Sequence, residues 1–337
     1  MSGRTDPRLG PGREFDRIRG FFEGSWEPTS EIQVGPGDDC AVLRDGIVIS
    51  TDLALEDVHF RLDWVSPDEA GYRSVAAGLS DLAAMAADPI AVLLSIAVPG
   101  DGQGAGELVR GARTLLDERG VPLVGGDLTR SPGPICLDVV SVGRSLTPLL
   151  RSGARVGDEL WVTGRLGGAA AAVALWRQGR SVPASLRESF AAPQPRIEEA
   201  RWLLRARARA GIDLSDGLAG DAAHLAAASG VATVLEEDLV PVHPDLDGLE
   251  LPGPGAGRRL ALHGGDDFEL LVAVPPGSLA EAAASFRERF SIELTRVGRV
   301  EAGTGAHLQS AEGARRPVDT GGGFDHFAAA GEEGGEG

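Results

Sequence analysis

Five short segments of the sequence combine aspartate with small residues directly beside apolar runs. They are Gly37-Asp38-Asp39, Ser50-Thr51-Asp52, Gly125-Gly126-Asp127, Asp213-Leu214-Ser215-Asp216-Gly217 and Gly264-Gly265-Asp266-Asp267. One such segment alone indicates only a tight turn, because glycine and aspartate are common turn residues. Five of them, each at the end of an expected strand, predict carboxylates gathered at one edge of a layered α/β fold.

Carboxylates that are gathered in this way repel one another unless cations lie between them. Hard divalent cations take oxygen ligands, and Mg²⁺ is typically held by a few carboxylates together with water and substrate phosphates. The sequence has no Cys/His spacing suited to zinc and no twelve-residue calcium loop. The five segments therefore predict a site for magnesium.

Asp81 interrupts an otherwise apolar or small-residue helical run, Val75 to Met85. An ionised carboxylate is costly to bury without a partner, which favours a metal or site role for Asp81. The alternative is that Ser74, Gly78, Asp81 and Met85 form the solvent-facing stripe of the helix. Glycine and methionine suit a solvent-facing stripe poorly, so the site role is preferred.

Four further features each allow two interpretations. His59 follows the segment at residues 50–52 and is either a site residue or a structural hydrogen-bonding group. The glycines of Gly164-Arg165-Leu166-Gly167-Gly168 match neither a dinucleotide fingerprint nor a P-loop, which favours close packing as their role. Arg151 has the chemistry to clamp a phosphate, although the chain offers many arginines. Phe324 belongs to an aromatic cluster that either covers a flat ring or docks the C-terminal segment.

The composition excludes several classes of function. The chain has 337 residues, 50 acidic against 32 basic side chains, and a net charge of -18. It lacks a basic stretch that could follow a nucleic-acid backbone, so no nucleic-acid partner is expected. No lysine occurs, which excludes a Walker-A lysine, a kinase strand lysine and a Schiff base. An enzyme of this sequence that handles phosphate must use arginine, backbone N–H groups or metal ions.

Length, cysteine content and hydropathy indicate where such a protein works and how it is divided. A chain of 337 residues predicts two domains, with a boundary near residue 150. No apolar run reaches the roughly 18 residues that a membrane-spanning helix needs, so no membrane association is expected. Cys40 and Cys136 are too few for a disulfide framework, and residues 1–12 lack the apolar core of a secretory signal. These features favour a cytoplasmic protein.

Hydrophobic spacing and turn residues predict the elements of the first half. Ser66, Pro67 and Glu69 have the pattern of a helix start with a capping box, and this helix should run to about residue 87. The other predicted elements are a helix at 13–22, a hairpin with strands at 40–43 and 47–52, a strand at 91–98 covered on both faces, a helix at 106–119, and strands at 121–124 and 135–142.

The second half is expected to continue as α/β structure. The predicted strands are 159–163, 231–235, 270–274 and 292–300, and the predicted helices are an alanine-rich one ending near 178, one at 196–209, one opening after 211–217 and running to 229, and one at 278–290. Residues 241–257 have the composition of a loop, and 328–337 that of a disordered acidic tail.

Seven motifs, in order along the chain, resemble those of the thiamine-monophosphate kinase family within the aminoimidazole-ribonucleotide-synthetase-like ATP-binding superfamily. They are residues 37–43, 50–52, 79–89, 125–127, 151–158, 213–218 and 264–270. The resemblance spans about residues 15–327. It implies a two-domain α/β architecture of α+β layers, in which mixed sheets are covered by helices. It also implies an N-terminal ATP/Mg-binding and dimerisation domain (1–150) and a C-terminal α/β domain (151–327).

The same resemblance implies an activity and a set of site residues. The activity is the ATP-dependent phosphorylation of thiamine monophosphate to thiamine diphosphate with several Mg²⁺ ions, by a homodimer. Implied metal ligands are Asp39, Ser50, Thr51, Asp52, Asp81, Asp127, Asp213 and Asp216, of which Asp52, Asp127 and Asp216 are also the implied catalytic acids. Implied ATP contacts are Gly126, Asp127, Arg151 and Ser215, and implied substrate contacts are His59, Asp266 and Phe324. The family usually has glutamate in the place of Asp266.

Two other classes of function compete with the kinase. One is a sibling enzyme of the same superfamily, a synthetase or a selenide-activating dikinase. The dikinases generally have a reactive cysteine or selenocysteine near the N-terminus, whereas no cysteine precedes Cys40 here. The other is a non-catalytic module that binds metal or nucleotide, and the acids retained at almost every implied position argue against it.

Overall fold

A computed structural model describes residues 9–22 and 29–319 of the chain, and their strands form two sheets. The first sheet contains β1 (Ile32–Val34), β2 (Ala41–Leu43), β3 (Ile47–Leu55), β4 (Asp88–Val98), β5 (Leu123–Arg130) and β6 (Cys136–Arg144). The second contains β7 (Glu159–Thr163), β8 (Ala210–Asp213), β9 (Ala232–Glu236), β10 (Leu270–Val274), β11 (Leu294–Glu301), β12 (Gly305–Gln309) and β13 (Arg315–Pro317).

Both sheets are mixed, as predicted. The first has the order β1-β2-β3-β6-β4-β5 and is antiparallel except for the parallel pair β4 and β5. The second has the order β13-β12-β9-β11-β7-β10-β8 and is antiparallel except for the parallel pair β9 and β12. The first sheet therefore uses the chain before residue 145 and the second the chain after residue 158.

Helices cover these sheets. They are α1 (Arg13–Phe22), α2 (Pro67–Ala84), α3 (Ala105–Arg119), α4 (Gly168–Arg177), α5 (Ala184–Ala191), α6 (Ile197–Arg205), α7 (Leu218–Ser229), α8 (Ala256–His263) and α9 (Ala282–Phe290). Helix α2 contacts α3, β3 and β6 on one side and β8 of the second sheet on the other. It therefore links the two halves, and 13 of its 18 residues are buried.

The start of α2 follows from its sequence. Ser66 accepts the Glu69 N–H while the Glu69 carboxylate accepts the Ser66 N–H, which is the predicted capping box, and Pro67 occupies the first turn. The helix ends at Ala84, three residues before the predicted end. Ala86 has a φ of 49°, and the next residues enter β4, so the chain leaves the helix before Pro89.

The stripe of α2 that includes Asp81 faces inward, which rules out the solvent-facing alternative. Ser74, Gly78 and Met85 are all buried. A Cβ atom at Gly78 would lie 2.9 Å from the Val139 side chain and 3.0 Å from Ser141 Oγ, so only glycine lets α2 approach β6 this closely. Asp81 is thereby held against the first sheet.

Two of the five aspartate segments lie inside strands. The segment Ser50-Thr51-Asp52 lies within β3, which continues to Leu55, beyond the predicted end at residue 52. The segment Gly125-Gly126-Asp127 lies inside β5, so the predicted end of that strand at residue 124 is wrong. A Cβ atom at Gly126 would lie 1.9 Å from the Leu94 carbonyl oxygen, so this glycine permits two parallel strands to approach each other. Strand pairing thus overrides the turn propensity of these residues.

Strand β4 is covered on one face only. Val92, Leu94, Ile96 and Val98 are buried, and the residues between them are half-buried. The apolar run at 91–98 had predicted full cover on both faces, but in the described part of the chain α2 and α3 supply one layer of helices. On the other face Leu93, Ser95 and Ala97 are half-buried.

Several second-half elements were missed or misplaced from sequence. The missed elements are α5, β8, α8, β12 and β13, and the predicted loop at 241–257 contains a short 3-10 helix (Pro244–Leu246) and the start of α8. Helix α6 ends at Arg205 rather than residue 209 because Arg207 takes a φ of 75° and ends the turn. Among the described residues no helix is long and apolar enough to cross a membrane.

Candidate active site

Three aspartates from distant parts of the chain meet where α2 lies between the two sheets. Asp39 lies in the loop before β2, Asp81 on α2 and Asp213 at the end of β8. One carboxylate oxygen of each lies within 4.8 Å of those of the other two. We call these three residues the acid cluster. The predicted convergence of these three acids therefore occurs.

Each carboxylate of the acid cluster accepts a hydrogen bond from a side chain at one of its two oxygens; the donors are Ser50, Ser80 and Arg151. The Ser50 hydroxyl donates to Asp81 Oδ2, and the Ser80 hydroxyl donates to Asp213 Oδ2 at 2.7 Å. Asp39 Oδ2 is buried and has no hydrogen-bond partner within residues 9–22 and 29–319. A buried anionic oxygen without a partner is rare in a folded protein and indicates a place that a ligand completes.

The raised pKa values of the acids in and near the acid cluster also indicate a site for a cation. Burial, followed by the charge of Asp213, raises the pKa of Asp81 well above its usual range. Burial, followed by the charge of Asp39, raises the pKa of Asp213 to about 7. Burial and the nearby Asp266 raise the pKa of Asp52 to about 6. Each carboxylate would release its proton more easily if a cation were bound among them.

Arg151 closes one side of the acid cluster. Its guanidinium donates to Asp39 Oδ1 from Nε at 3.1 Å and from Nη2 at 2.6 Å, and the Asp39 side chain is fully buried. The Arg151 main-chain N–H donates to both oxygens of Asp38 at 3.2 Å. Burial, followed by Asp39, raises the pKa of Asp38 to about 7. The guanidinium and the main-chain N–H of Arg151 thus both donate to acids, and any nucleotide contact must share the guanidinium with Asp39.

Asp216 belongs to a second group of possible ligands, with Asp221 and His224 on α7. The Asp216 main-chain N–H donates to Asp221 Oδ2 at 3.3 Å, and burial followed by Asp216 raises the pKa of Asp221 well above its usual range. The ring of His224 packs against Phe15 of α1 with centroids 4.1 Å apart. Sequence reasoning missed Asp221, although an acid in an alanine-rich helix is the signal that singled out Asp81.

Thr51 and Asp127 lie in other surroundings. Thr51 Oγ1 donates to Asp138 Oδ1 at 2.7 Å. In the strand register, Ser95 of β4 lies opposite Asp127 of β5 on one side and Asp138 of β6 on the other, so these three residues form one row across the sheet. Asp52 of β3 lies opposite Val139 of β6, one row away. Adjacent rows of a sheet point to opposite faces, so Asp127 is on the face away from Asp52. The charge of Asp52 contributes to the raised pKa of Asp81, so Asp52 lies near the acid cluster. Asp127, in contrast, is exposed on an edge strand.

The implied substrate residues are brought together in part. His59 Nδ1 accepts the Leu55 N–H at 3.0 Å, which is the structural role that sequence left open. Asp266 pairs with Arg73 on α2 at 2.8 Å, and its N–H donates to the Ser215 carbonyl at 2.9 Å. Phe324 lies outside the described residues. Sequence reasoning missed Arg73, because a single arginine in a chain of many gives no signal.

The glycines at 164–168 have the packing role that sequence favoured. A Cβ atom at Gly167 would lie 2.8 Å from the Ala261 nitrogen, and one at Gly168 would lie 2.6 Å from Ser189 Oγ. The Gly167 N–H donates to the buried carboxylate of Asp267 at 2.9 Å. This turn fixes the start of α4 against α5 and α8.

Two domain families match this chain. Residues 37–145 match the AIR synthase related protein N-terminal domain, and residues 155–310 match the corresponding C-terminal domain. The two sheets thus define a two-domain AIR synthase related protein, which confirms the fold class predicted from sequence.

More similar relatives narrow the class. The thiamine-monophosphate kinase of Escherichia coli K12 is 33% identical over 331 residues, covering 94% of this chain and 98% of the relative. The solved thiamine-monophosphate kinase of Stenotrophomonas maltophilia is 35% identical, with a TM-score of 0.72. The match covers 87% of this chain and 95% of that chain. The structure of AaThiL complexed with AMPPCP and TMP is 27% identical with a TM-score of 0.76, covering 94% and 97%. The chain belongs to the thiamine-monophosphate kinase family.

Proposed function

We infer that this chain transfers the terminal phosphoryl group of ATP to thiamine monophosphate, forming thiamine diphosphate and ADP. The acid cluster is the observation that carries this inference: it is a buried group of three carboxyl side chains between two halves of a fold whose relatives are kinases. A related structure was obtained with AMPPCP and TMP, an ATP analogue and the proposed acceptor. The arrangement suits a protein that must hold two polyanions.

The chemistry needs little from the side chains beyond placement. The acceptor is a phosphate monoester with a second pKa near 6, so its attacking oxygen is already mostly anionic at neutral pH and requires no general base. The main barrier is repulsion between two anions approaching in line. Phosphoryl transfer depends chiefly on positioning and electrostatic stabilisation, which a chain without lysine achieves through metal-binding acids and arginine.

The acid cluster fits Mg²⁺. Its three candidate ligand atoms are all carboxylate oxygens, and Asp39 Oδ2 is buried without a hydrogen-bond partner among the described residues. Burial, followed by a neighbouring carboxylate, raises the pKa of Asp81 and of Asp213, which a bound cation would oppose. Bound Mg²⁺ ions supply charge neutralisation and orientation of the phosphates. At this centre the proposed ligands are Asp39, Ser50, Asp52, Asp81 and Asp213. Asp216, in the second group, and Thr51 and Asp127, on the opposite face of the first sheet, are proposed as further metal ligands on the resemblance of the motifs alone.

The remaining roles are proposed on the resemblance of the motifs. Asp52, Asp127 and Asp216 are the proposed catalytic acids, and the nucleotide would contact Gly126, Asp127, Arg151 and Ser215. His59, Asp266 and Phe324 would contact thiamine monophosphate. The link from the Asp266 N–H to the Ser215 carbonyl supports adjacent substrate and nucleotide sites.

We also propose that the chain forms a homodimer through its N-terminal domain, residues 1–150, with residues 151–327 as the second domain. Support comes from β5, an edge strand whose residues after Leu123 are all exposed, including Val124 and Leu128. An exposed apolar edge favours pairing with another chain. Sedimentation velocity should give the mass of two chains, and a single-chain mass at working concentration would contradict the dimer.

A cytoplasmic location is proposed on the state of the cysteines. Cys40 and Cys136 are both free thiols, and Cys40 is buried. Burial, followed by the charge of Asp81, raises the pKa of the Cys40 thiol, so it is unreactive. Free thiols of this kind are typical of a reducing compartment.

An acceptor comparison tests the function. Purified protein with ATP and Mg²⁺ is expected to form thiamine diphosphate from thiamine monophosphate and no product from unphosphorylated thiamine, because the acceptor must be a phosphate oxygen. Chromatographic separation of the thiamine esters gives the result. Binding without turnover would indicate a non-catalytic module, and ATP use only with an amide or selenide acceptor would indicate a sibling enzyme.

Metal-free protein is expected to lose stability as the pH rises from about 4 to 7. In this window the unfolded carboxylates release their protons near their usual pKa of 3.8, whereas folded Asp213 and Asp38 keep theirs until about pH 7. The unfolded state then binds fewer protons, so the free energy of unfolding falls with pH, by about 1.4 kcal/mol for each unit by which a pKa is raised.

Mg²⁺ should reverse this loss. Thermal unfolding measured with and without MgCl2 at about pH 5 and pH 8 is expected to show a larger stabilisation by Mg²⁺ at the higher pH, where ionised carboxylates compete with fewer protons. Equal stabilisation at both values would argue against metal binding at these acids.

A further inference from the structure

Arg73 is a charged side chain that lies almost wholly inside the protein. It comes from the first turns of α2, and its side chain is 5% exposed. Its guanidinium reaches three segments: Nε donates to the His59 carbonyl at 3.2 Å, Nη1 to the Phe190 carbonyl at 2.8 Å, and Nη2 pairs with Asp266 Oδ2 at 2.8 Å. Thus one side chain holds the segments of two proposed substrate residues.

Aromatic rings fix the plane of this guanidinium. Its Cζ lies 3.8 Å from the centre of the Phe190 ring and 6.0 Å from the centre of the Phe268 ring. Stacking on a ring while donating from the edge in three directions requires the planar fork of arginine. A lysine ammonium would keep the charge but could not make the same three contacts from one fixed plane.

The turn that carries Asp266 is strained and is fastened on two sides. Asp266 has a φ of 63° and Phe268 a φ of 49°, both unusual for residues other than glycine. The main-chain N–H groups of these two residues donate to the carbonyls of Ser215 and Leu214 at 2.9 Å. Arg73 thus holds the carboxylate of Asp266, and the proposed nucleotide segment holds its backbone.

The same arginine acts electrostatically on the proposed catalytic acid. The charge of Asp266 raises the pKa of Asp52, after burial, and the charge of Arg73 lowers it. Arg73 therefore lies close enough to both acids to reduce the repulsion between them. Meanwhile Asp266 remains 39% exposed, so its carboxylate is accessible to a ligand while one oxygen is held by Arg73.

We propose that Arg73 is the positioning residue for the thiamine monophosphate side of the site, acting through Asp266 and the backbone of His59. This inference rests on the proposed function. Thiamine monophosphate carries a permanent positive charge and an amino group, both of which an oriented carboxylate recognises. Arg73 sets where that carboxylate lies relative to Asp52, and so sets the affinity for the acceptor and not for the nucleotide.

A purely structural role for Arg73 would be to tie α2 to α5, and the chain offers a matched control for that role. Arg187 of α5 pairs with Glu69 of α2 through two N–H groups, one of them at 2.7 Å. This ion pair joins the same two helices and contacts neither Asp266 nor His59. Arg187→Gln therefore removes a tie of the same kind without touching the proposed substrate residues.

The test measures the dissociation constants of thiamine monophosphate and of AMPPCP, each with Mg²⁺, by calorimetry on folded full-length variants. Arg73→Gln is expected to weaken thiamine monophosphate binding about tenfold or more and AMPPCP binding less than about threefold. The dissociation constant of Arg73→Lys for thiamine monophosphate is expected to lie between those of Arg73→Gln and the wild type. Arg187→Gln should leave both constants close to those of the wild type while lowering the unfolding temperature.

Asp266→Asn gives a second route if Arg73→Gln does not fold. It should weaken thiamine monophosphate binding by itself, and adding Arg73→Lys should then cause little further loss, because the two residues act as one unit. Independent, multiplying losses would overturn the proposal, as would an equal weakening of both ligands or unchanged affinity in Arg73→Gln. Wild-type turnover is measured in parallel: its absence would reject the proposed function, whereas normal wild-type turnover with these contrary results would reject only the role of Arg73.

Discussion

Asp213→Asn is expected to lower the rate of thiamine diphosphate formation by about 1,000-fold and, in metal-free protein, to raise the unfolding temperature. The two effects have opposite signs because the carboxylate serves the ligand and not the fold. Asp213 is buried beside Asp39, so an uncharged amide relieves repulsion while Ser80 still has an oxygen to donate to. Steady-state assays and thermal unfolding in chelator measure the two quantities.

A buried aspartate with a full counter-charge provides the control. Asp158 is fully buried, is paired with Arg209 and accepts the Arg155 N–H at 2.9 Å. Asp158→Asn leaves the guanidinium without its counter-charge, so it should lower stability and leave the turnover of the folded fraction nearly unchanged. If Asp213→Asn behaved in the same way, the acid cluster would be structural.

Arg151→Met is expected to lower the free energy of unfolding of the metal-free protein by about 3–5 kcal/mol. The substitution keeps much of the apolar volume of the side chain. It removes the guanidinium, which donates two hydrogen bonds to Asp39 Oδ1. Asp39 and Asp38 would then be buried as neighbouring acids, with neither a positive charge nor the Arg151 side chain beside them. Urea unfolding in chelator at neutral pH measures the loss.

The double substitution Asp39→Asn with Arg151→Met separates charge from packing. Once the carboxylate is also neutral, much of the lost stability should return, because the penalty came from an unpaired buried charge. A double variant no more stable than Arg151→Met would mean that Arg151 acts by packing alone. Excess Mg²⁺ should also restore part of the stability of Arg151→Met, since the cation replaces the missing positive charge.

The elements predicted from sequence were correct where local chemistry determines the structure. The capping box at Ser66 and Glu69 marks the start of α2, and β7 and β10 have the predicted bounds. The failures came where tertiary pairing prevails. β3 continues past Asp52 because it pairs with β6, and Gly126 lies within a strand because β5 pairs with β4; no local pattern reveals those partners.

The candidate site was likewise predicted only in part from the sequence. Asp81 was conspicuous because a carboxylate is out of place in an apolar helix, and its meeting with Asp39 and Asp213 followed from the expected edge of the fold. Asp221 was missed although it carries the same local signal as Asp81, an acid in an apolar helix, whereas Asp138 becomes notable only through Thr51, which lies 87 residues away in the sequence. Arg73 was missed for a related reason: its three partners lie 14, 117 and 193 residues along the chain.

The most direct test of the central claim follows the phosphoryl group itself. Phosphorus NMR of the purified protein with ATP and thiamine monophosphate should show the terminal phosphate signal of ATP replaced by the two coupled signals of thiamine diphosphate when Mg²⁺ is present, and no change when the metal is chelated. Thiamine diphosphate appearing at an undiminished rate in chelator would contradict the claim that divalent ions held by these acids make the transfer possible.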